Sequence, residues 1–114
     1  MSSFSVAFRT QNHVRILDLN GELDAHTAAE LEMAIQQSMQ DGHVKIIVNG
    51  EQLRYISSAG LGVFMAFVEE IRDQNGDLKI AALQPHVYDT FDLLGFPHLF
   101  DITTTVSDAI LKFA

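Results

Sequence analysis

Phe4, Val6 and Phe8 alternate with Ser5, Ala7 and Arg9, the period of two that marks a half-buried strand. Gln11-Asn12 punctuates this pattern before Val14, Ile16, Leu17 and Leu19, so the chain is expected to open with a β-hairpin. From Ala25 the period becomes helical. Ala28, Leu31, Ile35 and Met39 fall on one stripe, Asp24 stands where an N-cap belongs, and Asp41-Gly42 closes the run. Residues 44–48 (Val-Lys-Ile-Ile-Val) are short and β-branched, as a central strand covered on at least one face requires. A helix between two such strands implies a right-handed parallel crossover.

Asn49-Gly50-Glu51 is expected to break that strand, and a connecting segment then leads to Ser57. A second helical stripe follows in Leu61, Phe64, Val68 and Ile71, closed by Asn75-Gly76. Residues 78–83 read as another strand. Pro85 suits the first turn of a helix carrying Val87, Phe91 and Leu94, which Gly95 ends. Residues 100–103 suggest a short edge strand, and Thr105 with Asp108 resembles a capping box opening a last helix through Ala109, Ile110 and Phe113. This order predicts an α/β domain: a mixed sheet of four or five strands with helices mainly on one face, since the Ala28, Leu61 and Val87 stripes all need burial. The ends of two adjacent parallel strands would then bring Asp24 near Ser58.

At 114 residues the chain holds one core, so residues 1–114 are expected to form a single domain. With 47% hydrophobic residues there is ample apolar material. Charge narrows the function: seven Lys and Arg against fifteen Asp and Glu give −8, with no basic stripe, which argues against direct nucleic-acid binding and suits solubility or a basic protein partner. The absence of cysteine removes disulfides, thiolate catalysis and cysteine zinc sites, and fits manufacture in a reducing compartment, the cytosol. The start has no cationic or apolar leader pattern, and the apolar stretch over 61–68 is far short of the ~20 residues a membrane span needs, so neither export nor membrane insertion is expected.

Candidate chemistry is sparse. No two of His13, His26, His43, His86 and His98 stand at i, i+4, and no recognised metal pattern surrounds them. Gly60-Leu61-Gly62 lacks both the third glycine of a dinucleotide fingerprint and the Gly-Lys-Ser/Thr ending of a P-loop. No nucleophile elbow or Ser-x-x-Lys pair is present, and Glu69-Glu70 reads as a solvated helix face. No cofactor is called for, and no catalytic residue can be named. What remains is residues 55–62, Tyr-Ile-Ser-Ser-Ala-Gly-Leu-Gly, with two hydroxyls at the mouth of a helix. One serine can cap that helix; capping does not account for both. Helix-start amides tolerate the roughly two negative charges of a phosphate there.

Two segments carry a resemblance. Residues 19–27, Leu-Asn-Gly-Glu-Leu-Asp-Ala-His-Thr, look like the Gly-Glu-Leu-Asp turn into the first helix of the anti-sigma-factor antagonists, a branch of the STAS domain group of bacterial partner switching. Residues 55–62 are similar to that family's phosphoserine loop, and the likeness covers essentially the whole chain. The resemblance places the phosphoacceptor two residues before Gly60, at Ser58, with Ser57 the alternative, and implies a partner-binding surface of Glu22, Asp24, Ser57, Ser58, Ala59, Gly60 and Leu61. Ser57 and Asn49 occupy places often filled by aspartate in the family. It implies a protein with no catalysis of its own. Unphosphorylated, such a protein binds an anti-sigma factor that is also a serine kinase and so frees the sigma factor; phosphorylation releases it, and a PP2C-type phosphatase restores it. The wider group offers another role, a stand-alone STAS subunit of a membrane lipid-transport ATPase complex or of another signalling assembly.

Overall fold

The hairpin opens the chain as expected. In a computed structural model describing residues 3–114, β1 (Phe4–Gln11) runs antiparallel to β2 (Val14–Leu23), with Gln11 opposite Val14. Asn12 and His13 both take positive φ, 53° and 64°, as a two-residue primed turn requires. The first two positions of the 1–114 domain expected from sequence lie outside the described residues. Three further strands, β3 (Lys45–Ile56), β4 (Asp77–Ala81) and β5 (Ile102–Thr103), add in sequence order, each parallel to its neighbour, to give a five-stranded mixed sheet. Helices α1 (Ala28–Gln40), α2 (Ser58–Asp73), α3 (Pro85–Leu93) and α4 (Val106–Leu111) alternate with the later strands.

Most of the core lies on one face. Leu31 and Ile35 of α1, Leu61, Phe64, Val68 and Ile71 of α2, and Val87 and Phe91 of α3 bury against Leu17, Leu19, Ile46, Val48 and Ile80. Phe64 meets Phe91 and Phe100 edge-on at 5.6 and 6.2 Å, and these rings tie α2 to α3 and to the segment before β5. α4 alone covers the opposite face, where Ala109 and Ile110 pack on Val14, Ile16, Ile47 and Ala81. Ile46, Ile47 and Val48 are therefore all buried, and the short β-branched run is apolar on both faces for that reason. No helix among the described residues is long and apolar enough to cross a membrane.

Three local expectations are corrected. β3 does not stop at Asn49-Gly50-Glu51 but continues to Ile56. Its pairing with β2 steps from Asp18 opposite Asn49 to Asn20 opposite Gln52, and again from Gly21 opposite Leu53 to Glu22 opposite Tyr55, so β3 carries an extra residue at two bulges. The turn-forming residues serve the first bulge: the Asn49 side-chain carbonyl accepts the Glu51 N–H at 3.1 Å, and a Cβ on Gly50 would stand 2.5 Å from Leu83 Cδ2. Asp24 does not cap α1; it closes the turn before the helix, which begins with Thr27 at the N-cap. Leu94 is exposed, because the left-handed turn at Gly95 (φ 79°) ends α3 and brings Phe96 into the core instead.

Candidate functional site

β3 extends past the end of β4, whose pairing stops at Asn49, and its last residues run beside β2 alone. Leu23 lies opposite Ile56, and the Ser57 N–H donates to the Leu23 carbonyl at 2.9 Å. The carboxyl ends of the two strands are thereby clamped, and the turn following β2 stands beside the start of α2. Asp24 and Ser58 are brought to one edge of the sheet, as expected.

The turn is held by a small network centred on Thr27, which is 6% exposed. Its hydroxyl donates to the Glu22 carbonyl at 2.8 Å and accepts the Asp24 N–H at 2.9 Å. The Asp24 carboxylate in turn accepts from the N–H groups of His26 (2.9 Å) and Thr27 (3.2 Å). With its hydroxyl committed in this way, Thr27 makes no side-chain cap to α1. Sequence reasoning missed it. The signal was an Asp-x-x-Thr spacing between a strand and a helix, where a short polar side chain three residues on can close the turn.

At the start of α2 the two serines separate. Ser57 is the N-cap: its backbone is extended (φ −99°, ψ 174°) and its hydroxyl oxygen accepts the Gly60 N–H at 3.4 Å. Ser58 is the first helical residue and is exposed, and its hydroxyl has no hydrogen-bond partner among the described residues. Ala59 is exposed beside it. Gly60 and Leu61, expected in the partner-binding surface, are buried and show a partner no side chain. Gly60 is small for an internal reason: a Cβ there would stand 2.8 Å from Leu23 Cγ, 2.9 Å from Ile56 Cγ1 and 3.0 Å from the Leu23 carbonyl oxygen. It lets the first turn of α2 lie against the strand ends. Glu22 and Asp24 are half-buried.

The arrangement presents a hydroxyl free to receive a group, at a helix start whose first amides lack intrahelical acceptors. No side chain among the described residues is hydrogen-bonded to the Ser58 oxygen as a base would be. Among the described residues no three His, Asp or Glu side chains stand together as metal ligands. A polar hollow of about 520 Å³ lies elsewhere, between α4 and the strands, and includes Arg9, Asp18, Asn49 and Thr105. There Arg9 holds Asp18 at 2.7 Å and the Asn49 amide donates to it at 2.8 Å. Burial pushes the Asp18 carboxyl up, but these bonds outweigh it and hold the group below the ordinary value. An aspartate at position 49 would lose this amide donor and repel Asp18.

A model of the STAS domain matches residues 5–109. Over 95 residues the chain is 30% identical to BtrV of Bordetella bronchiseptica, covering 83% of this chain and 82% of the other. It is 28% identical over 100 residues to the anti-sigma-B factor antagonist of Staphylococcus aureus, covering 88% and 93%. Unphosphorylated SpoIIAA, described as an anti-sigma factor antagonist, shares the fold with a TM-score of 0.80 at 22% identity over 96% of each chain. The phosphorylated form of this Bacillus cell fate determinant gives 0.71 over 98% of this chain and 100% of that one, also at 22% identity. With nearly its whole length matched by that model, the chain belongs to the STAS domain family.

Proposed function

We propose that this protein is an anti-sigma-factor antagonist whose binding is switched at Ser58. In its unphosphorylated form it engages an anti-sigma factor that is also a serine kinase, through Glu22, Asp24, Ser58 and Ala59, and the sigma factor is released. The kinase transfers the γ-phosphoryl group of ATP to the Ser58 oxygen; ADP leaves and the hydroxyl proton is lost to solvent. A PP2C-type phosphatase hydrolyses the ester and restores the hydroxyl. The chain, acting in the cytoplasm as one module over residues 1–114, turns over no substrate and needs no cofactor.

One observation carries the choice of residue: Ser57 is occupied as the helix cap, whereas Ser58 is exposed and unbonded. The relatives support the reading by their names, and SpoIIAA exists in a phosphorylated form. Physically, a phosphate at Ser58 brings about two negative charges beside Glu22 and Asp24 into a surface that must be desolvated on binding. A loss of ~3 kcal/mol there weakens binding about 150-fold.

The test uses the anti-sigma factors of the protein's own organism, each purified, in a calorimetric titration and an ATP-labelling assay. Ser58→Ala should bind and resist labelling. Ser58→Asp, with one carboxylate in place of a phosphate, should bind more weakly than wild type. Ser57→Ala should still be labelled. Labelling that survives in Ser58→Ala and disappears in Ser57→Ala would move the switch to Ser57.

A further inference from the structure

The two edges of the sheet are built differently. β5, at one end, is two residues long, the kind of short edge that offers little to pair with. β1, at the other end, is eight residues long and pairs with β2 in unbroken register from Phe4 to Gln11, with no bulge and no proline. Its only charged side chain, Arg9, is bonded to Asp18. Among the described residues nothing pairs with its outer side. A long, regular edge without the usual protection is a template for another strand.

The hydrogen-bonding phase of that edge is fixed. The two-residue turn at Asn12-His13 makes Gln11 and Val14 a bonded pair, and bonded pairs alternate along an antiparallel ladder. At the other end the Ser3 carbonyl accepts the Glu22 N–H, which keeps the same phase. Ser5, Ala7, Arg9 and Gln11 therefore bond to β2, whereas Phe4, Val6, Phe8 and Thr10 turn their backbone groups outward. Beside this edge Val6 and Phe8 line an open groove of about 330 Å³ with Glu30, Met33, Ala34 and Gln37 of α1. Phe8 is 43% exposed and Met33 66%.

We propose that the occupant of this edge is a second copy of the chain, its β1 pairing antiparallel about a two-fold axis at Ala7. That register sets Phe4 opposite the second copy's Thr10 and Val6 opposite its Phe8, so every outward residue bonds, with about eight hydrogen bonds in all. The strand is complementary to itself: β-branched Val6 meets aromatic Phe8, Arg9 meets Ser5, and only Ala7 meets its own counterpart. α1 lies in the crossover between parallel β2 and β3 and so runs in the direction of β1. The same axis, passing the groove between Val6 and Phe8, sets Met33 against Met33 and Glu30 against Gln37 rather than against another acid. About eleven residues a side are covered, roughly half of a standard interface, which corresponds to a Kd on the order of 10–100 µM. The two-fold points the carboxyl ends of β2 and β3 in opposite directions in the two copies, so both Ser58 sites lie away from the contact. Self-association is therefore independent of the proposed partner switch.

Sedimentation equilibrium of the full chain from about 5 µM to about 1 mM reads the contact, and wild type should pass from monomer to dimer across that range. Ala7→Lys sets like charges face to face on the axis, and Ala7→Glu does the same with acids. Each alone should associate at least tenfold more weakly, with circular dichroism unchanged because Ala7 is exposed. Mixed together, the two variants should recover the dimer, since only a residue on the axis meets its own counterpart. Met33→Glu, on the helix and clear of the strand, should also weaken association tenfold or more, and Ser58→Asp should leave it unchanged. A wild type that stays monomeric throughout would overturn the proposal and leave the edge to a strand of another protein. A mixture no stronger than its components, or association lost in Ser58→Asp, would overturn the two-fold at Ala7. Undiminished association in Met33→Glu would show that the copies meet elsewhere, whether or not the strand variants fold.

Discussion

Gly60 and Gly62 sit two residues apart on the same helix, and alanine should act on them with opposite sign. At Gly60 the added methyl comes within 2.8–3.0 Å of Leu23 Cγ, Ile56 Cγ1 and the Leu23 carbonyl oxygen. Ordinary carbon contacts lie at about 3.5–4.0 Å, so the intrusion is roughly 0.6–1 Å at the two side-chain carbons, with the carbonyl oxygen also crowded. Leu23 is 0% exposed and Ile56 4%, which leaves little room to give way. The Leu23 carbonyl also receives the Ser57 N–H that clamps the strand ends, so displacing it loosens the site. Overpacking of this kind costs about 1–3 kcal/mol, and the better helix preference of alanine returns at most ~1 kcal/mol. The net expectation for Gly60→Ala is a loss of about 1–2 kcal/mol, against a gain of about 1 kcal/mol for Gly62→Ala, where a Cβ would meet open space. Urea unfolding followed by circular dichroism reads both. With m near ~2 kcal/mol/M, the Gly60→Ala midpoint should fall by about 0.5–1 M and the Gly62→Ala midpoint should rise. A Gly60→Ala protein as stable as wild type would refute the close-approach argument for that glycine.

Three other perturbations test the remaining parts. Thr27→Val keeps the bulk of a buried residue while stranding the Glu22 carbonyl and the Asp24 N–H, and should cost about 2 kcal/mol in urea unfolding, with Thr27→Ser close to wild type. Asn49→Asp removes the amide donor to Asp18 and sets a second carboxylate beside it, so the variant should be about 1 kcal/mol less stable at neutral pH, a deficit that narrows as acid protonates the pair. The third concerns pH. Burial raises the Asp77 carboxyl, but hydrogen bonds from Arg72, Lys79 and the Leu78 N–H together hold it below the ordinary 3.8, as Arg9 and Asn49 do for Asp18. Burial lowers the Lys79 ammonium, but Asp101 and Asp77 outweigh it and raise it above the ordinary 10.5. The two carboxylates contribute stability that is present above the unfolded value and lost as pH falls through their lower folded values. Lys79 contributes stability that is present below 10.5 and lost as pH rises through its higher folded value. Unfolding midpoints measured against pH should be level from about pH 5 to pH 9 and fall below pH 4, with a shallower acid limb in Asp77→Asn.

The hydrophobic pattern alone settled the element types, their order and the mixed sheet, because burial stripes of period 2 and 3.6 are local properties of the chain. Leu61, Phe64, Val68 and Ile71 could be assigned to a buried face before any fold was known, and all four are buried. The two motifs likewise marked the neighbouring strand ends that Asp24 and Ser58 follow. Local pattern failed wherever a residue's role depends on a neighbour distant in sequence. Asn49-Gly50 has the chemistry of a turn, but pairing with β2 and the approach of Leu83 turn it into a bulge within a strand. Asp24 and Thr27 both have side chains able to cap, and the Glu22 carbonyl decides which bonds they make. Adjacent serines are equivalent on paper until the helix start is fixed, after which one hydroxyl is consumed and the other is left free. The same holds for Gly60 and Gly62: both read as glycine, and only the position of Leu23 and Ile56 beneath one of them separates a glycine the fold needs from a glycine it does not.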